Sequence, residues 1–154
     1  IINNLIEKIL SNKIFFNKII FDGYPRNLKQ VEILDILLEK YEQKISCALN
    51  LYVNKKNLIK RITGRINCSN CGFTFNEYFN PPDKNDHKCD LKFLNKRSDD
   101  NEIAFNKRLK IYNDQTLPIL NHYEKKKVLH KINGEGEISN IYKQIYDILM
   151  NIKD

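Results

Sequence analysis

Apolar residues recur along this chain with two different periods. Ile2, Leu5, Ile6 and Ile9 fall at helical spacing within residues 2–11. Residues 16–21 (FNKIIF) form a compact run with β-branched members, which predicts a buried strand closed by the turn-forming Asp22-Gly23-Tyr24-Pro25. From Leu28 to Tyr41, the positions of Val31, Leu34, Ile36, Leu37, Leu38 and Tyr41 suit a helix, and Ile45 to Val53 reads as a second strand. Asn54 is a cap for a helix reaching about Ile62, with Gly64 ending it. Residues 65–98 break the pattern with three cysteines, the Pro81-Pro82 pair and many Asn and Asp; a small insertion of short strands and turns is expected there. Ser98-Asp99-Asp100 then predicts a capped helix whose apolar face holds Ile103, Phe105, Leu109, Ile111 and Tyr112. A helix near Leu117 to Lys126, a third strand from Val128 to Ile132, a turn at 133–136 and a last helix from Ile138 to Ile152 complete the chain.

Strands alternating with helices predict an α/β fold, a parallel sheet flanked by helices with a small β-rich insertion. The core is expected over 1–63 together with 99–154, and the inserted subdomain over 64–98. Ligands of such sheets bind at the carboxyl ends of the strands, so Asp22 to Arg26 and Asn133 to Gly136 mark the candidate site.

Composition narrows the classes. With 154 residues and 42% hydrophobic content, the chain can bury a core, and no apolar run reaches the roughly 18 residues a membrane span needs. The formal charge of +7 fits nucleic acid and nucleotides equally. Its densest cluster, Lys125-Lys126-Lys127, reads as a solvated helix end. Arginine is more telling. The chain has only five, at 26, 61, 65, 97 and 108, and lysine supplies the remaining positive charge. A planar guanidinium grips phosphate bidentately, which an ammonium cannot do.

Cys47 lies in an apolar run and reads as a small buried hydrophobe. Cys68-Ser69-Asn70-Cys71 is a knuckle of two thiolates three residues apart, followed at a distance by Cys89, which is structural zinc spacing. Lys92, where a fourth ligand would stand three residues after Cys89, cannot serve; His87 or Asp90 is the fourth candidate. A metal-free insertion held by hydrogen bonds is the alternative. His122 and His130 have no partner pattern and are expected to be surface or helix-end residues.

Asp22-Gly23-Tyr24-Pro25-Arg26 leaves a predicted strand at its carboxyl end, bringing together a carboxylate, a glycine and an arginine suited to a phosphate and a water-bound magnesium ion. With these motifs the chain, from about Leu5 to its end, resembles adenylate kinase and the nucleoside monophosphate kinase family. The resemblance implies a P-loop NTPase-like fold and reversible transfer of the terminal phosphoryl group of ATP to AMP, giving two ADP; GTP is an alternative donor. It implies that Gly23, Tyr24, Pro25, Arg26 and Gln30 bind AMP together with Arg97 and Arg108. It assigns Arg61, Arg65, Thr74, Phe75 and Gly136 to ATP, Asp22 to magnesium through water, and Arg65, Arg97 and Arg108 to catalysis. Residues 64–98 become a lid, with Asp99 and Asp100 at its hinge and Cys68, Cys71 and Cys89 as zinc ligands. The implied partners are nucleotides, with no nucleic acid and no membrane, and the implied state is a cytoplasmic monomer.

The family's G-x-x-x-x-G-K phosphate loop is not in this sequence, whose glycines stand at 23, 64, 72, 134 and 136. The chain therefore reads as the C-terminal two-thirds of such a kinase, inactive alone, or as a relic that lost catalysis. A non-catalytic zinc ribbon or nucleic-acid-binding module is the competing class.

Overall fold

The computed structural model describes residues 2–83 and 87–152. Two compact units divide the chain: unit 1 comprises Ile1–Leu51 and Ile111–Asp154, and unit 2 comprises Tyr52–Lys110.

In unit 1, helix α1 (Ile2–Leu10) buries Ile6 and Leu10, one stripe of its apolar spacing, against helix α2 (Leu28–Lys40). Asn27 caps α2, its side chain accepting the Gln30 N–H at 2.9 Å. α2 buries two faces. Leu34, Leu37 and Leu38 meet α1, whereas Val31 meets Ile119 and Tyr123 of helix α5 (Leu117–Lys125). Ala48 of strand β1 (Ala48–Tyr52) and Leu129 of strand β5 (Leu129–Asn133) pack on that second cluster. β1 and β5 form a two-stranded parallel sheet, and helix α6 (Ile138–Met150) follows β5. Its stripe is only half-buried at Ile141, Ile145 and Ile148, and Ile138 is exposed.

Residues 16–21 do not form the expected strand. A 3-10 turn occupies Lys13–Phe15, and the segment beyond it has no ladder partner among the described residues. Alternation survives: Ile19 and Phe21 pack against the α1–α2 cluster, while Ile20 is 92% exposed. The expected buried strand is therefore an extended segment with only one face covered.

In unit 2, helix α3 (Lys55–Thr63) is capped by the Asn54 side chain and ends at Gly64, both as expected. Strand β2 (Arg65–Cys68) is the centre of an antiparallel sheet, flanked by β3 (Thr74–Asn76) and β4 (Leu94–Asn95). Ile66 lies opposite Phe75, and Cys68 lies opposite Leu94. Helix α4 (Glu102–Ile111) buries Phe105 alone of its expected face, and Ile103 is 85% exposed. Its cap also differs from the sequence reading. The Asn101 side chain accepts the Ala104 N–H at 2.9 Å, because Asp99 and Asp100 are engaged by arginines.

Candidate functional site

In unit 1, the Asp22–Arg26 turn is tied to itself and to the start of α2. Gly23 has φ of +72°, a conformation side chains rarely adopt, and a Cβ there would lie 3.0 Å from an Arg26 Nη. Arg26 Nε donates to the Gly23 carbonyl at 2.8 Å, and the Arg26 backbone N–H donates to Gln30 Oε1 at 2.6 Å. The Tyr24–Pro25 bond is cis. The half-buried Tyr24 hydroxyl lies 3.3 Å from both Asn3 Oδ1 and the Gln30 carbonyl, and burial raises its pKa. Because the Arg26 N–H occupies Gln30 Oε1, the Gln30 side chain presents its amide nitrogen, a donor, to its other surroundings. Asp22 and the Arg26 side chain are exposed. After β5, the turn at 133–136 is held by the Glu135 N–H donating to Asn133 Oδ1 at 3.0 Å, and Gly136 has open space where a Cβ would sit.

Unit 2 holds the other four arginines. Arg65 grips Asp100 with two parallel bonds, Nε to Oδ2 at 2.8 Å and Nη2 to Oδ1 at 2.5 Å. The Asp100 side chain is 0% exposed, and Arg65 keeps 29%. Hydrogen bonding from Arg65 holds the Asp100 carboxyl below the usual carboxylate range against the opposing effect of burial, and the same bond raises Arg65. Arg108 pairs with Asp99 at the surface. Arg61 lies over the Phe79 ring, 5.8 Å from its centroid, and Arg97 is exposed. Thr74 is exposed and its hydroxyl donates to Asn67 Oδ1 at 2.9 Å. Phe75 is buried, its ring 5.0 Å from that of His87, so it serves the interior of unit 2.

One ligand atom from each of Cys68, Cys71, His87 and Cys89 lies within 4.8 Å of all the others. Zinc–sulfur bonds of about 2.3 Å set tetrahedral ligand atoms about 3.8 Å apart, so this donor set fits a four-coordinate zinc ion. His87 Nε2 is buried with no hydrogen-bond partner among the described residues, an orphan that a metal would satisfy. Burial alone would raise the Cys68 thiol. The backbone N–H of Cys71, the His87 side chain and the Asn70 backbone N–H outweigh it and bring Cys68 down to about 6. Gly72, with φ of +76°, turns the knuckle so that its N–H donates to the Cys68 carbonyl at 2.9 Å. Of the two fourth-ligand candidates, His87 joins the group; Asp90 is exposed and pairs with Lys92 at 3.2 Å. Asn70 was missed from the sequence. Its Nδ2 lies 3.3 Å from Cys89 Sγ, and its only signal was its place inside the knuckle. Cys47 is half-buried, and burial raises its thiol.

No helix among the described residues is long and apolar enough to cross a membrane. A sequence model of the family described as adenylate kinase matches residues 1–128. An adenylate kinase of Pelagibacter ubique is 40% identical over 149 residues, 97% of this chain and 70% of the relative. That of Nitrosococcus oceani is 42% identical over 133 residues, covering 84% of this chain and 61% of the relative. That of Bacillus subtilis is 40% identical over 136 residues, 87% and 62% respectively. The chain thus spans 61% to 70% of the length of these relatives. It belongs to the adenylate kinase family.

Proposed function

We propose that this chain carries the acceptor side and the lid of an enzyme that moves the terminal phosphoryl group of ATP to AMP. One observation carries the acceptor reading. The 2.6 Å bond from the Arg26 N–H to Gln30 Oε1 locks a phosphate-gripping guanidinium and a base-reading amide onto one turn. A monophosphate whose base offers an acceptor at the Gln30 nitrogen meets both groups at once, and AMP has that chemistry. Gly23, Tyr24 and Pro25 shape the turn, and Arg97 and Arg108 supply further charge to the acceptor.

Phosphoryl transfer asks the protein for positioning and for cations where charge develops, not for a nucleophile. Arg65, Arg97 and Arg108 take the catalytic role. Arg61, Thr74 and the open backbone at Gly136 take the donor nucleotide, whereas Phe75, expected there from the resemblance, is buried inside unit 2 and anchors the strand that carries Thr74. Asp22 would hold magnesium through water, and the ion would neutralise the phosphate oxygens. Cys68, Cys71, His87 and Cys89 would hold a zinc ion with no open position, and its work is to fold the lid. Family membership disfavours the zinc-ribbon and nucleic-acid alternatives.

The test joins the chain to a strand–loop–helix bearing G-x-x-x-x-G-K and measures ADP made from ATP, AMP and Mg2+. Two ADP per turnover are expected, with a drop on the order of 100-fold for Arg26→Lys. Near-normal turnover of that variant would remove the phosphate role of Arg26, and no ADP from the joined protein would remove the kinase reading.

A further inference from the structure

We infer that Thr116 is a positioning residue for the acceptor phosphate grip, acting on Arg26 through that residue's own carbonyl. The inference rests on the acceptor reading above and adds a residue that reading does not contain. Thr116 Oγ1 donates to the Arg26 backbone oxygen at 3.0 Å, a bond across 90 positions of sequence within unit 1.

Three features single this bond out. First, Thr116 closes a five-residue π-helical stretch, Tyr112–Thr116, that passes directly into α5. A π turn carries one residue more than an α turn. It therefore rotates every following side chain by about 100° relative to an uninterrupted α-helix, and such turns concentrate at functional sites. Second, the hydroxyl does no local work. It makes no capping bond to α5, whose second position is Pro118 and offers no N–H. A helical threonine more often bonds back to a carbonyl of its own helix, whereas this one reaches another element. Third, the bond completes the fixing of Arg26. Its N–H is held by Gln30, its Nε by Gly23 and its carbonyl by Thr116, while the side chain stays exposed. The first two ties come from within eight residues of sequence. Thr116 alone among the three connects the turn to the distant α5 end of the unit, which packs on α2 through Ile119 and Tyr123. Pinning the backbone of Arg26 on both sides of its Cα leaves the guanidinium less freedom to lose when an anion arrives.

The experiment compares the unmodified chain with Thr116→Val, which keeps the shape and loses the hydroxyl, and Thr116→Ser, which keeps the hydroxyl. AMP affinity is measured by calorimetry, and backbone amide exchange at Arg26 by NMR. Thr116→Val should weaken AMP binding about fivefold, because the freed turn must be ordered when AMP binds, and should speed exchange at Arg26. Thr116→Ser should restore both, and the valine variant should lower the thermal transition by no more than about 5 °C, so that it remains folded during the binding measurement. Unchanged affinity and exchange in the valine variant would overturn the inference, as would a serine variant that behaves like valine. If the unmodified chain binds no AMP, the acceptor reading fails by itself. Amide exchange at Arg26 would then still accept or reject Thr116 as the residue that holds the turn.

Discussion

The turn at Asp22–Arg26 and the knuckle at Cys68–Cys71 are both short reversals containing or followed by a positive-φ glycine, yet different physics holds them. The first turn leans on a helix-packed unit, with two clusters built on α2 and ties from Gln30 and Thr116. The second sits in a three-stranded sheet whose strands are two to four residues long. A sheet that small buries too little apolar surface to stand alone, and Cys68, Phe75 and His87 are its buried residues. Where side-chain volume is scarce, four convergent potential ligands and an ion pair on the buried Asp100 carboxylate stand close together. The Asp22–Arg26 turn is thus set by packing, whereas the small sheet of unit 2 gathers an ion pair and four potential metal ligands.

Chelating the zinc proposed for the Cys68, Cys71, His87 and Cys89 group is the sharpest way to break that contrast. Structural zinc sites contribute on the order of 10 kcal/mol of folding free energy, so chelation or Cys68→Ser should abolish the dispersed NMR signals of β2, β3 and β4. The signals of α2, β1 and β5 should persist; loss of both sets, or of neither, would erase the distinction. The converse variant is Leu34→Ala, which opens a cavity at the centre of the α1–α2 cluster. It should cost unit 1 about 3 kcal/mol in a denaturant titration and leave metal stoichiometry unchanged.

Smaller effects sharpen the picture. Asp100→Asn removes the charge that Arg65 grips in two bonds and should cost about 2 kcal/mol. Because the folded pKa of Asp100 is lowered, its contribution is full above the ordinary carboxylate value. That contribution is lost as pH falls through the lower folded value. The difference between variant and parent should therefore shrink on acidification, as followed by thermal melts across pH. Smallest is Asp90→Ala, which removes a surface ion pair and the cap of a short 3-10 turn; it should cost about 0.5 kcal/mol and leave metal stoichiometry unchanged, in contrast to His87→Ala.

Much of this was legible in the sequence, for identifiable reasons. Helices α1, α2 and α6 show in apolar spacing, and α3 shows in its Asn54 cap and Gly64 stop, because these signals are local. The cysteine knuckle was visible because its ligands are three residues apart. The fourth member of the group was not, since His87 and Asp90 both lie within two residues of Cys89 and only the fold separates them. The strand at residues 16–21 failed because a strand exists through its neighbour's hydrogen bonds, which no single run encodes. Asp99 and Asp100 looked like caps because their arginine partners, at positions 108 and 65, lie outside any local window. Thr116 gave no signal, for its role depends on a π turn and a carbonyl 90 residues away.

The most direct measurement is an AMP titration of the chain, followed at the backbone amides of Arg26 and Gln30. Saturating shifts at both, with AMP preferred over CMP and UMP and with affinity lost in Arg26→Lys, are the expected result. No shift at these amides, or a lysine variant that binds AMP as tightly as the parent, would contradict the assignment of this turn to the acceptor nucleotide.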